Sequence, residues 1–291
     1  MPDVALSAGY APLDWVGMRG IELPVLWRGL QVPSRVEARV SLDKKDSRGI
    51  HMSRLFLTLQ SQLAQSELTV EKLGQMTSEF LTSHADLSSQ ALVKVSFDAP
   101  LMRKALKTQN SAWRQYPTTI SCEQNGTEKA YFVEVQVLYS STCPASAALA
   151  RQLIQKNFAE QFADKAPSAS EMLEWLGSSE GIIATPHAQR SVGRVKVQVS
   201  ADFALERLVD LIEDALQTPV QGAVKREDEQ EFALRNGQNL MFCEDAARRL
   251  VKAFAQEKQI LDFIAELDHQ ESLHPHNAVA TVTAGKKLHC F

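Results

Sequence analysis

The sequence predicts an α+β fold of antiparallel strands and paired helices, and three observations predict it. Apolar residues alternate at period two in several separate runs, the mark of half-buried strands. Between those runs they recur every three to four positions, the mark of amphipathic helices. Strands, then two helices, then strands occur in that order twice along 291 residues, which points to a duplicated unit.

The elements follow in order. Residues 1–19 read as a loose leader containing Gly and Pro. Ile21–Trp27 is strand-like, and in Arg35–Leu42 Val36, Ala38 and Val40 share one face. Leu55, Leu59 and Leu63 define a first helix, and Leu73, Met76 and Phe80 a second. Val93, Val95 and Phe97 alternate again. Asn125-Gly126 sits between two strand-like runs and predicts a hairpin, with Tyr131, Val133, Val135, Val137 and Tyr139 in strict alternation behind it. In the second half, Val195, Val197 and Val199 form a strand. A helix over Phe203–Gln217 carries Leu205, Leu208, Val209, Ile212 and Leu216 on one face. A further helix spans Phe242–Gln256, and strands near Ile260–Asp268 and Asn277–Thr283 close the chain. The expected division is a leader and first unit over 1–144 and a second unit over 145–291, with an inserted connection over 157–188. The one strong feature of that connection is a short helix around Met172–Leu176.

Composition narrows the function. Hydrophobic residues make up 44% of the chain, enough to bury a core. A net charge of −4 argues against a nucleic-acid binder, although local basic patches suit a phosphorylated small molecule. No run of 18 apolar residues is present and the N-terminus lacks the pattern of a secretory signal, so neither a membrane span nor export is expected. Cys122, Cys143, Cys243 and Cys290 are widely spaced with no CxxC pair, which favours a reduced, cytoplasmic protein over a disulfide framework.

Five clusters are rich in chemistry. Ser141-Thr142-Cys143-Pro144-Ala145-Ser146 lies between a strand and a helical pattern, and Pro144 suits a first helical turn. Cys143 then falls at the N-cap, where free N–H groups favour thiolate, a nucleophile or metal ligand; the alternative is a buried small residue. Thr185–Ser191 gathers His187, Gln189, Arg190 and Ser191 at a strand entrance, as a binding segment or an ordinary loop. Lys225-Arg226-Glu227-Asp228-Glu229 is either a solvated turn or a phosphate-neutralising pair, Lys225 and Arg226, beside a carboxylate ligand, Glu229. Phe242-Cys243-Glu244-Asp245 opens a helix, where acidic residues suit the dipole and where Glu244 has the chemistry to accept two N–H donors of a guanine edge. Glu271–Asn277 brings Glu271, His274 and His276 together, as metal ligands or as a solvent-facing turn. Cys, His and Glu donors span the softness range of zinc and other transition metals.

Taken in order, these segments resemble the type IB GTP cyclohydrolase I family. The resemblance runs over roughly residues 34 to 290. It rests on Arg48–Arg54, the Ser-Thr-Cys-Pro segment at Cys143, His187–Ser191, Lys225–Glu229, Phe242–Asp245 and Glu271–His276. It implies tandem tunnelling-fold (T-fold) units, a homotetramer with active sites at interfaces, and a divalent transition metal (Zn, Mn or Fe). The implied reaction converts GTP and water to 7,8-dihydroneopterin triphosphate and formate, the first step of tetrahydrofolate biosynthesis. Carried over by motif, the metal ligands are Cys143, His187, Glu229 and His274. Cys143, His187, His274 and Glu271 are the catalytic set. Glu244 anchors the guanine edge, and Arg190, Lys225 and Arg226 are the triphosphate contacts. GTP is the partner, with no nucleic acid and no membrane. One departure is that relatives read Cys-Pro-Cys-Ser where this chain has Cys143-Pro144-Ala145-Ser146. Two rival readings remain: a tunnelling-fold nitrile reductase using Cys143 as nucleophile, and a non-catalytic purine- or metal-binding protein.

Overall fold

The computed structural model describes residues 11–63 and 65–285. Eight strands make one antiparallel sheet whose spatial order follows the chain, β1 to β8. The strands are β1 (Leu13–Trp27), β2 (Leu30–Leu42), β3 (Gln90–Lys104), β4 (Ser111–Asn125), β5 (Glu128–Thr142), β6 (Ala188–Val199), β7 (Ile260–His269) and β8 (Ala278–Thr283). Helices α1 (Met52–Leu63) and α2 (Val70–Ser83) connect β2 to β3. Helices α3 (Pro144–Gln161) and α4 (Ala169–Leu176) lie between β5 and β6. Helices α5 (Leu205–Leu216), α6 (Arg226–Gln238) and α7 (Cys243–Phe254) lie between β6 and β7.

The alternation that marks each strand also builds the core. Val36, Ala38 and Val40 of β2, Val93 and Val95 of β3, Val133, Val135 and Val137 of β5, and Val195 and Val197 of β6 face one way and are buried. Onto that face pack Leu55 and Leu59 of α1, Leu73, Met76 and Phe80 of α2, Leu208 and Ile212 of α5, and Leu250 and Phe254 of α7. The Asn125–Glu128 pair closes the expected hairpin, and Gly126 takes φ 56°, a left-handed conformation that glycine adopts without a Cβ clash. Gly74 of α2 allows a different closeness: a Cβ there would lie 2.3 Å from the Tyr131 hydroxyl.

Two elements differ from the sequence expectation. The leader is shorter, because β1 starts at Leu13 and pairs with β2 through two register shifts. Gly17 falls in the stretch read as a loose leader, yet a Cβ on it would collide with the Ala38 carbonyl, the mark of a strand held close to its neighbour. The charge run Lys225–Glu229 is not a loop turn but the N-cap and first turn of α6, exposed except at Asp228. This helix escapes periodicity because its one buried residue is Asp228. The connection 157–188 holds the end of α3 and all of α4, with Trp175 packed against Phe158 and Phe162 at centroid distances of 5.3 and 6.2 Å.

Residues 98–117 of β3 and β4 pair only with each other, forming a two-stranded arm beyond the main sheet. The arm reaches the second half of the chain. Tyr116 donates to Glu213 at 2.7 Å, Arg103 donates to Asp210 at 2.7 Å, and Arg114 pairs with Glu213 at 2.9 Å. Burial and then the Glu213 carboxylate push the Tyr116 hydroxyl well above the usual phenol range.

Candidate active site

The site grows from the register of β5 against β6. Thr142 pairs with Ala188, which sets the start of α3 beside the entrance of β6. Cys143 occupies the N-cap of α3, with Pro144 in the first turn, and its Sγ accepts from the Ser146 amide at 3.5 Å. Two further bonds tie the segments together. The Cys143 amide donates to the His187 carbonyl at 3.4 Å, and the His187 amide donates to Ser146 Oγ at 3.0 Å. Cys143 is half-buried, and Ala145 is exposed.

The His187 ring is oriented from one side. Its Nδ1 lies 3.0 Å from Gln189 Oε1 and 3.8 Å from Glu271 Oε2, so Nε2 is the nitrogen left for a ligand. Gln189 in turn donates to Ser141 Oγ at 3.0 Å, and Ser141 and Ser191 share a hydrogen bond of 2.8 Å. The polar row continues across the sheet. Tyr139 pairs with Ser191, Ser191 pairs with His269, and Tyr139 OH lies 2.9 Å from His269 Nε2. Burial pushes His269 down to about 4, against an opposing pull from Glu244. Glu244 stands exposed in the first turn of α7 and accepts from the Cys243 thiol at 3.3 Å. Its backbone N–H and that thiol hold the carboxyl below its usual range, while burial and Glu244 push the Cys243 thiol up to about 11.

The backbones of Cys143 and His187 are therefore joined and the His187 ring faces Glu271, with Glu244 near the same end of the sheet. The other candidates stand apart from them. Arg190 pairs with Ser140, so both side chains turn to the same face, and Ser140 donates to Asn236 of α6 at 2.6 Å. Lys225, Arg226 and Glu229 lie exposed at the start of α6. Glu229 is seven residues from Asn236, about 10 Å along the helix at the standard rise. His274 is exposed and stacks on His276, with centroids 5.0 Å apart. Among the described residues no group of three or more His, Cys, Asp or Glu forms a ready metal site. The sequence reading passed over the Tyr139–His269 pair, whose only signal was strand alternation ending in polar residues. It also passed over Asp228, hidden inside the charge run. Cys290 lies outside the described residues.

Solved structures first define the class. A uricase from Bacillus fastidious superposes with a TM-score of 0.53 at 9% identity, covering 93% of this chain and 92% of its own. A hyper-thermostable AgUricase mutant gives 0.52 at 10% identity, covering 98% and 94%. The sheet with helices on one face is the tunnelling fold, and that likeness establishes the fold alone. The family follows from sequence. The family described as type I GTP cyclohydrolase folE2 matches residues 1–280, and the chain belongs to it. The GTP cyclohydrolase FolE2 of Bdellovibrio bacteriovorus is 58% identical, with 100% of this chain and 98% of the relative covered. That of Pseudoalteromonas translucida is 47% identical, with 98% of each covered.

Proposed function

We propose that the protein is a GTP cyclohydrolase that converts GTP and water to 7,8-dihydroneopterin triphosphate and formate, opening tetrahydrofolate synthesis in the cytoplasm. The observation that carries this reading is the His187 ring held against Glu271 on the segment whose backbone bonds the N-cap residue Cys143, with Glu244 at the same end of the sheet. The donor chemistry fits a divalent transition metal. A thiol at a helix N-cap and an imidazole oriented through Nδ1, on segments bonded to each other, are donors of the softness that zinc takes and that iron or manganese tolerates. Glu229 and His274 would complete the ligand set.

A bound divalent metal supplies Lewis acidity that lowers the pKa of water toward neutrality. The chain's own residues do the rest. Glu244 accepts two N–H donors of the guanine edge and fixes carbon 8 of the base toward Cys143 and His187. Glu271, beside His187 Nδ1, receives and returns the proton as the imidazole ring opens and formate leaves. Lys225, Arg226 and Arg190 neutralise the triphosphate.

Two features support an assembled site and a homotetramer. Among the described residues, strands β1 and β8 each pair with one strand only, and no contact joins Glu229 to Cys143. Mixing inactive Cys143→Ala and Glu229→Ala chains restores activity if a neighbouring copy delivers Glu229, and restores none if each chain builds its own site. The order ββααββ over 13–125 and again over 128–283, with α3, α4 and α6 added, supports two tandem units. Grouping β5 with β6 moves the division from residue 144 back to the Gly126 turn.

The deciding experiment measures formate and oxidised-pterin fluorescence from GTP, with the protein stripped of metal and then given zinc, manganese or iron. Metal-dependent formation of both products establishes the reaction. Their absence with every metal, in a folded oligomer, overturns it.

A further inference from the structure

The carboxylate of Asp228 sits in the middle of a charge run, yet its side chain is wholly covered, while Glu227 and Glu229 on either side are exposed. Its Oδ1 accepts from the Lys107 amide at 2.8 Å and the Thr108 amide at 2.9 Å. Its Oδ2 accepts from Thr108 Oγ1 at 2.7 Å and from the Lys225 amide at 2.9 Å. Four donors fill the sites that a carboxylate offers, so Asp228 has no capacity left to act as ligand or base. Three donors come from the tip of the β3–β4 arm, and the fourth is the residue before the first turn of α6. No apolar residue of α6 is buried. The far half of the helix is tethered by Asn236, which accepts from Ser140, and by Asn239 just past its end, which donates to the Leu216 carbonyl at 2.8 Å. At the near half, the same role falls to the buried Asp228, with the half-exposed Lys107–Glu231 ion pair at 3.7 Å beside it.

We propose that Asp228 is a positioning residue, which clamps the start of α6 to the arm tip and thereby aims Lys225, Arg226 and Glu229 at the triphosphate and the metal. This rests on the function proposed above for that segment. The arm of the first half thus governs a binding segment of the second. Loss of the clamp frees the turn that carries two cations and a carboxylate, so affinity for phosphate falls before the chemistry does.

The test uses the metal-loaded full chain with Asp228→Ala, Asp228→Asn and Thr108→Val, and inorganic triphosphate as competitive inhibitor. The expected result for Asp228→Ala is a rise of about tenfold or more in both KM for GTP and Ki for triphosphate, with a smaller change in kcat. Asp228→Asn, which keeps one oxygen acceptor, falls between it and the parent. Thr108→Val, which removes one hydroxyl at constant shape, shifts KM and Ki in the same direction by a few-fold. If Asp228→Ala does not fold, the other two variants decide. Unchanged KM and Ki in both, with only a lower Tm, overturns the proposal and leaves Asp228 a purely structural anchor. A different result marks failure of the underlying reading. If Lys225→Ala with Arg226→Ala leaves the parent's Ki for triphosphate unmoved, the segment does not bind phosphate and both ideas fall.

Discussion

Glu271 holds a carboxylate oxygen 3.8 Å from Nδ1 of His187, although the two residues come from different strands' ends and are 84 positions apart. Gln189 shares the same nitrogen, so the imidazole is fixed on one side and open on the other. Replacing Glu271 by Gln keeps the shape and removes the base. Formate release is expected to fall by about a hundredfold or more, the usual weight of a general acid–base group, with metal content unchanged. Equal loss of metal would show that Glu271 acts as a ligand instead.

Cys143→Ser separates the two roles of the N-cap. Serine caps helices at least as well as cysteine, so α3 keeps its first turn and Tm stays within about 2–4 °C of the parent. Metal content and formate release are expected to drop together, because a hydroxyl is a poor ligand for a soft cation. Elemental analysis beside thermal unfolding checks both halves.

Ala145→Cys adds a second thiol two residues after Cys143. The position is exposed in the first turn of α3, so the added thiol has open solvent in front of it. Stability and kcat/KM are expected to stay within about twofold of the parent, as for most surface changes. A rise of an order of magnitude would show that the second cysteine joins the chemistry.

His269 gives the fold a pH dependence of its own. Burial lowers it from 6.5 to about 4. Between those values the unfolded chain binds the proton and the folded chain does not, so stability rises with pH there. The contribution is complete above pH 6.5 and is lost as pH falls toward 4, on the order of 3 kcal/mol for a depression of this size. Tyr139→Phe removes the hydroxyl 2.9 Å from Nε2 and strands a buried imidazole, at a cost of about 1–3 kcal/mol near neutral pH. Urea unfolding at a series of pH values measures both, and a flat profile between pH 4 and 6.5 would rule out a neutral buried His269.

Most of the sheet was readable because its strands bury one face only. Val36, Ala38 and Val40, or Tyr131 through Tyr139, announce themselves by alternation, and Asn125-Gly126 marks the turn. The N-cap at Cys143 was equally legible, since Pro144 restricts where a helix starts. Helix α6 was not, because a helix held by Asp228, Asn236 and Asn239 has no apolar stripe for periodicity to find. The contact of His187 with Glu271 was also hidden. It follows from the pairing of β6 with β7, and no spacing along the chain encodes that register.

Strand order that follows chain order has a consequence for how the molecule is made. Each strand from β2 onward joins the sheet beside the strand synthesised just before it, and none waits for a distant, later segment to fill a gap. Loop closure is therefore confined to neighbours, the condition that favours rapid folding. On the ribosome, the sheet can grow from one edge as the chain emerges, and the advancing edge stays exposed only until the next strand arrives. The arm tip that clamps α6 is finished before α6 exists, so the binding segment docks onto a surface already in place.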